Sequence, residues 1–202
     1  MEVSLFNRRQ VLTGSVIAAL SALWLPEKAG AAALSPPPGT EGATLVFDIA
    51  CLGSSFAVNA QAALDAKGGD MRGASFFVEG NLYPAGTIPA GDGFDPASVP
   101  ATGHWFCRGW FILNSARPKP HLLSTVEYLF GRISDAQPSP ADQLVSSGVE
   151  GGTPVVIRSI IGGAGRYRGV TGELVEQVIG TNKTVLNGQG QPAPNFRAYV
   201  TL

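Results

Sequence analysis

The sequence is poor in charge, histidine and cysteine, and it has no long apolar run. Charged residues make up 14% of its 202 residues and the formal net charge is −1, so no nucleic-acid partner is expected. Two histidines and two cysteines, without metal-ligand spacing, predict neither a metal site nor another cofactor. No apolar run approaches the ~20 residues of a membrane-spanning helix, so no membrane span is expected.

Glycine and proline are abundant, with 26 and 15 copies, which favours many short strands joined by tight turns. Segments rich in Val, Ile, Thr and aromatic residues predict strands near 43–52, 73–83, 104–113, 121–133, 143–149, 154–161, 170–179 and 195–202. This all-β pattern is typical of a sandwich or of a closed, eight-stranded antiparallel β-barrel. We favour the barrel, because closure removes exposed strand edges.

The first 33 residues are typical of an export signal. Paired arginines, Arg8 and Arg9, precede an apolar stretch over 16–25 and small residues over 29–33. The pattern predicts a twin-arginine signal peptide over 1–33, and therefore a periplasmic or secreted protein. A short amphipathic N-terminal helix is the alternative. A stiff, extended Pro-rich leader is expected over 34–42, and the barrel domain over 43–202.

A glycine-rich stretch, GGAGRYRG over 162–169, lies between two strand-like segments. A dinucleotide-binding turn would need a helix directly after the glycines, because the helix N-terminus holds the pyrophosphate. The following segment is rich in Val, Thr and Ile, which favour strand. The stretch therefore predicts a tight connection between antiparallel strands, with glycines at positive φ.

Four segments resemble the allene oxide cyclase barrel-like proteins, whose fold the plant dirigent proteins share. They are 45–49 (LVFDI), 79–84 (EGNLYP), the pair 105–111 (WFCRGWF) and 128–131 (YLFG), and 162–172 (GGAGRYRGVTG). The resemblance implies an eight-stranded barrel that often forms homotrimers. It also implies chemistry without a cofactor on a small hydrophobic molecule held inside, as in cyclisation of a fatty-acid epoxide or dirigent-type coupling.

The resemblance extends to individual residues only in part. Asp48 occupies the position of a glutamate in the family's first strand. Asn81 matches an asparagine of the second strand, and Cys107 matches a cysteine of the third. The resemblance thus implies Asp48, Asn81 and Cys107 as catalytic residues. Ala50 replaces a second expected asparagine, and no tyrosine stands in 147–150, which disfavours the epoxide reaction itself.

Strand alternation extends these candidates to their neighbours on each face. An interior Asp48 would act as an acid or base, and the alternative is a carboxylate held by backbone or arginine hydrogen bonds. Asn81 would orient water or a ligand, or else cap the turn at Pro84. The ligand-binding candidates are Phe77, Glu79, Tyr83, Trp105, Phe111 and Tyr128.

The same alternation predicts that the two cysteines are free thiols. If Cys107 faces the interior with Trp105 and Phe111, then Cys51, which lies opposite Asp48, faces the other side of the sheet. Disulfide geometry does not allow such a pair.

Two functions remain open from the sequence. The first is a cofactor-independent cyclase, isomerase or dirigent-type enzyme that acts on a small hydrophobic molecule. The second is a non-catalytic barrel that binds a hydrophobic ligand or a partner protein.

Overall fold

Nine strands form the framework of the structure, a computed structural model that describes residues 35–58, 72–73, 75–112, 121–134, 140–151, 153–186 and 191–202. They are β1 (Leu45–Val58), β2 (Ser75–Pro84), β3 (Gly91–Phe94), β4 (Gly103–Phe111), β5 (Leu122–Phe130), β6 (Asp142–Glu150), β7 (Val155–Ala164), β8 (Gly172–Leu186) and β9 (Gln191–Thr201). The predicted signal peptide over 1–33 lies outside the described residues.

Eight of these strands close into an antiparallel barrel, as the sequence predicts. Each pairs with the next in the order β1, β2, β4, β5, β6, β7, β8, β9, and β9 pairs back with β1. The ninth strand, β3, is not among the predicted strands. It lies outside the barrel and pairs in parallel with β8.

The barrel interior is lined by alternate side chains of its strands. On β4, for example, Trp105, Cys107 and Phe111 are buried while Arg108 and Trp110 point outward and are exposed. The interior cluster draws on all eight barrel strands and includes Ile49, Val78, Val126, Leu144, Ile160, Leu174, Phe196 and Val200. Burial of this apolar surface supplies the main driving force for closure.

Part of the barrel's outer surface is also buried. The segment between β2 and β4, which includes β3, covers a second cluster formed by Ala50, Tyr83, Ile88 and Ile179, with Phe94, Val99 and Ala101 packed against it. Strand β1 is therefore buried on both faces. A buried residue of β1 need not face the interior.

The glycine-rich stretch forms the predicted connection between β7 and β8, and a strand follows it. Gly165 has φ 63° and begins a 3-10 turn that ends at Tyr167. A Cβ on Gly163 would lie 2.5 Å from the carbonyl oxygen of Gln143, so the backbones meet too closely for a side chain. The turn buries Tyr167 against Phe130, with ring centroids 5.3 Å apart, at one end of the barrel.

The Pro-rich leader folds back in two turns where an extended segment was expected. Thr40 donates backbone and side-chain hydrogen bonds to the Pro37 carbonyl, at 3.3 and 2.7 Å, and the Ala43 amide donates to Thr40. The Gln177 side chain donates to the Ser35 carbonyl at 3.2 Å. These contacts place the leader against the outer surface of β8.

Candidate functional site

A buried ionic cluster lies inside the barrel. Arg158, from the middle of β7, donates Nε to Glu176 Oε2 of β8 at 2.8 Å, and its Nη2 forms an ion pair with Glu150 Oε1 at the end of β6. The three side chains are almost fully buried, with residue exposures of 1% for Arg158, 3% for Glu176 and 6% for Glu150. We call Glu150, Arg158 and Glu176 the interior ion cluster.

Hydroxyl groups complete the hydrogen bonding of the cluster. Ser124 Oγ lies 2.5 Å from both Glu150 Oε1 and Arg158 Nη1. Tyr128 donates its hydroxyl to Glu176 Oε1 at 2.9 Å, and Ser146 Oγ lies 3.2 Å from the same hydroxyl. Charged groups in a low-dielectric interior persist only when they are paired in this way.

Two glycines flank Ser124, and one of them leaves room for the Arg158 side chain. Gly109 and Gly148 stand opposite Ser124 on either side, in the registers of β4 with β5 and of β5 with β6. A Cβ on Gly148 would lie 3.1 Å from Cγ of Arg158. Small residues around Ser124 thus allow a long arginine to cross the interior of an eight-stranded barrel.

Burial and charge set the protonation of the cluster's partners. Burial alone opposes the charge on Arg158, but Glu150 and Glu176 outweigh it and raise the pKa of the guanidinium well above its usual value. Burial, reinforced by Glu176, raises the pKa of the Tyr128 hydroxyl well above its usual value. At neutral pH the arginine is therefore a fixed cation and the tyrosine a hydrogen-bond donor.

Both cysteines lie inside the barrel as free thiols. Cys107 Sγ is 3.9 Å from Glu150 Oε1, and Cys51 belongs to the same interior cluster. Burial, and after it the nearby carboxylates, raises the pKa of both thiols well above the usual value. The thiols are thus neutral at physiological pH and not activated as nucleophiles.

The two oxygens of Glu150 differ in their surroundings. Oε1 accepts hydrogen bonds from Arg158, Ser124 and Cys107. Within the described parts of the chain no donor reaches Oε2, and the Glu150 side chain keeps 7% exposure. Asp142 is the first residue of β6 and Glu150 is the last, so the two lie at opposite ends of the barrel. At its end, Asp142 pairs with Arg166 in the turn that follows β7.

Comparison with solved structures shows what the fold resembles. The pterocarpan synthase dirigent protein GePTS1 superposes with a TM-score of 0.50 at 14% identity, over 84% of this chain and 95% of that one. The pterocarpan synthase dirigent protein PsPTS1 also gives 0.50 at 14%, over 77% and 92%. The chain has the dirigent barrel fold.

Neither a third solved structure nor the sequence comparisons assign the chain to a family. A pyocyanin demethylase matches with a TM-score of 0.47 at 15% identity, over 78% of this chain and 98% of that one. No family model matches the chain, and no curated protein matches it in sequence. The dirigent likeness therefore concerns the fold, and the site must be judged from its own residues.

Four of the predicted site residues line the interior of this dirigent-type barrel. Trp105, Cys107, Phe111 and Tyr128 are each at most 1% exposed and belong to the interior cluster. Cys107 and Tyr128 contact the interior ion cluster directly. The side of β4 that carries Trp105, Cys107 and Phe111 therefore faces the interior.

The expectation that Asp48 faces the interior is wrong. Asp48 is fully buried on the outer side of β1, where it accepts hydrogen bonds from Arg197 Nε at 2.7 Å and the Ile88 amide at 2.9 Å. The physical reason is that the segment between β2 and β4 covers this side of β1. The alternative considered for Asp48, a carboxylate held by arginine and backbone, describes its geometry.

The residues predicted on β2 also lie on the outer side. Phe77 is 37% exposed and stacks on Phe106, with ring centroids 5.9 Å apart. Asn81 donates to the Tyr83 hydroxyl at 3.3 Å, and that hydroxyl donates to the Pro96 carbonyl at 3.0 Å. Glu79 pairs in register with Leu52 and Phe106 on this same side. The interior is lined instead by Phe76, Val78 and Leu82.

The free-thiol prediction for the cysteines is confirmed, but its reason is wrong. Because β1 turns Asp48 outward, Cys51 faces inward and shares the interior with Cys107. The two thiols lie on the same side of the sheet.

The interior ion cluster was not predicted as a site. Its sequence signal is polar residues in phase with apolar ones: Arg158 two residues before Ile160, and Glu176 between Leu174 and Val178. Strand alternation puts each of these on the buried face. The buried face of β7 is hard to recognise from its sequence, because Ile157 and Ile161 are also apolar although they are 60% and 56% exposed.

Neither a metal-ligand cluster nor a membrane-spanning helix is present in the described residues. Within the described ranges, no three His, Cys, Asp or Glu side chains come together as metal ligands. Those ranges also contain no helix with the length and apolar character needed to cross a membrane.

Proposed function

We propose that this protein is an exported barrel that binds a small, mainly hydrophobic molecule in its interior, next to the interior ion cluster. The ligand would enter at the end of the barrel where Glu150 lies, because Tyr167 and Phe130 pack together at the other end. An apolar wall with a few convergent polar groups is the usual composition of a small-molecule site.

The observation that carries the proposal is the asymmetry of Glu150. Arg158 and Ser124 fix Oε1, while Oε2 receives no donor from the described residues, so the carboxylate is held rigidly and still has one acceptor to offer. Such a group can anchor a ligand and can also take or give a proton. In the catalytic form of the proposal, the reaction is a cofactor-independent isomerisation, cyclisation or dirigent-type coupling.

The surrounding residues would act by positioning. Arg158 fixes the carboxylate, and Tyr128 holds Glu176 so that the guanidinium stays in place. The aromatic side chains of Phe111 and Trp105 would restrict the ligand to one geometry. Catalysis of this kind depends on orientation more than on an activated nucleophile.

A second candidate function is non-catalytic binding. Three nitrogens of Arg158 donate to protein acceptors, which is also the arrangement of a purely structural ion network. In this form the cluster rigidifies the barrel, and the ligand only occupies the space beside it.

Mass spectrometry of small molecules extracted from natively purified protein tests the proposal. We expect one hydrophobic compound in near-stoichiometric amount, reduced in Glu150→Gln and unchanged in the matched surface variant Glu127→Gln, whose carboxylate pairs with Arg108 outside the barrel. Absence of any bound compound from all three proteins would refute the proposal. Conversion of the recovered compound by wild type but not by Glu150→Gln would support catalysis, and its recovery unchanged would support binding alone.

A homo-oligomer, with a trimer as the expected form, is part of the proposal. Trp110, Leu123 and Val149 form one register row on the outside of β4, β5 and β6, with exposures of 50%, 41% and 51%. A contiguous apolar patch of this kind favours association. Light scattering should give a multiple of the mature mass for the wild type and a smaller species for Trp110→Glu.

The export route belongs to the proposal as well. Residues 1–33 carry the twin-arginine pattern on which it rests. Cell fractionation should recover a shortened protein outside the cytoplasm, and an intact N-terminus on the exported protein would contradict this.

A further inference from the structure

The interior ion cluster is unbalanced in charge. Its two carboxylates face a single guanidinium, and no other cationic side chain of the described residues is buried inside the barrel. Arg197, the other partly buried arginine, lies outside and pairs with Asp48. When all three groups are ionised, the described residues therefore leave one negative charge of the cluster without a counterion.

The position where a counterion could bind is determined by the hydrogen bonds. Glu176 uses both oxygens, one for Tyr128 and one for Arg158. Glu150 uses Oε1 for the protein donors. In the described part of the chain this leaves Oε2 of Glu150 as the carboxylate oxygen of the cluster without a donor, on a residue that is 6% exposed.

The row of interior residues that ends at Glu150 is otherwise apolar. Phe111, Leu122 and Glu150 stand in one row across β4, β5 and β6, with Phe111 and Leu122 at 1% and 0% exposure. An apolar wall beside a carboxylate suits a group that is both positively charged and hydrophobic, because the carboxylate supplies the opposite charge and the wall contacts the apolar part.

We infer that the interior ligand is a hydrophobic organic cation, with a protonated amine or a cationic ring nitrogen that binds Glu150 Oε2. The inference rests on the proposed function and narrows its substrate class. A cation balances the charge of the cluster. A neutral molecule leaves the imbalance in place, and an anion increases it.

Three probes of matched shape test the inference by calorimetric titration of the full mature protein at neutral pH. They are 1-methylquinolinium, which is cationic, its neutral isostere 1-methylnaphthalene, and the anion 1-naphthoate. We expect the cation to bind at least roughly tenfold more tightly than the neutral isostere, since a charge pair in this setting contributes more than the ~1.4 kcal/mol of a tenfold change. The anion should bind most weakly.

Variants separate the charge from the rest of the site. Glu150→Gln should reduce the preference for the cation to near unity, because the cation loses the charge that it pairs with. Glu127→Gln removes an equal charge from the outer surface and should preserve the preference. Circular dichroism of each variant shows whether the barrel is intact.

The outcomes distinguish this inference from the proposed function. If the neutral probe binds as tightly as the cation, or if the preference survives in Glu150→Gln, the inference is wrong and the hydrophobic binding site stands. If none of the probes binds to the wild type, both the site and the inference are overturned.

Discussion

Arg158 Nε lies 2.8 Å from Glu176 Oε2, with both side chains turned into the barrel from adjacent strands. The pair is the deepest ionic contact of the described structure, since its side-chain exposures are 0% and 4%. When one partner of a charge pair so far from water is removed, the other is left as an unpaired buried charge, which strongly destabilises the fold.

Replacement of Arg158 should therefore be severely destabilising. Arg158→Met leaves Glu150 and Glu176 as two buried carboxylates without a cation, and we expect a loss of about 3–5 kcal/mol in the free energy of unfolding. Urea denaturation at neutral pH measures it. The control is Arg166→Met, which breaks the exposed pair with Asp142 and should cost no more than about 1 kcal/mol.

A combined variant shows whether charge or packing is responsible. Arg158→Met together with Glu150→Gln and Glu176→Gln removes all three charges, and most of the lost stability should return. If the triple variant is as unstable as Arg158→Met alone, then the guanidinium acts through its packing and not through its charge.

Asp48 should prove to be a structural residue. Asp48→Ala removes the acceptor of Arg197 and of the Ile88 amide, so we expect a loss of about 2–3 kcal/mol and faster hydrogen exchange at Ile88. Ligand affinity should be unchanged, because Asp48 lies outside the barrel. An intact, equally stable Asp48→Ala protein that no longer binds its ligand would instead restore the catalytic hypothesis for this residue.

Much of the barrel could be predicted from local patterns. Strand β4 alternates clearly, with Trp105, Cys107 and Phe111 on one face, so its position and orientation follow from the sequence. The connection after β7 could also be predicted, because a tight turn needs residues that adopt positive φ and the sequence places glycines there. Gly165 and Gly169 have φ of 63° and 75°.

The candidate site was harder to predict because a buried residue can lie on either side of the barrel wall. The segment between β2 and β4 buries the outer side of β1, and this long-range contact has no local signal near Asp48. The ionic partners Glu150, Arg158 and Glu176 come from three strands, and only closure of the barrel brings them together. Alternation can place each of them on a buried face but cannot pair them.

Gly165 should tolerate a side chain much less well than Gly169. A Cβ on Gly165 would lie 2.3 Å from the Ala141 carbonyl oxygen, whereas one on Gly169 meets nothing within 4 Å. Both have positive φ, which costs an alanine about 1 kcal/mol. By urea denaturation we expect Gly169→Ala to lose about 1 kcal/mol and Gly165→Ala about 2–4 kcal/mol. Equal losses would mean that the backbone of the turn relaxes freely.

Stability should fall steeply in alkali. Burial raises the pKa of Cys51 and Cys107 above the usual thiol value of 9.0, so the folded protein keeps protons that the unfolded chain releases. Their stabilisation is complete below pH 9 and is lost as the pH rises above it, by up to about 1.4 kcal/mol per pH unit for each thiol. Above pH 10 the Tyr128 hydroxyl adds to the slope with the same sign.

Urea midpoints between pH 8 and pH 10 measure this slope, and the double variant Cys51→Ala/Cys107→Ala provides the control. The variant should be less stable at every pH, because two buried side chains are truncated, but its dependence on pH between 9 and 10 should be much shallower. The comparison therefore separates ionisation from packing, since packing changes the level of stability and ionisation changes its slope. An unaltered slope in the double variant would show that the thiols ionise as readily in the folded barrel as in the unfolded chain.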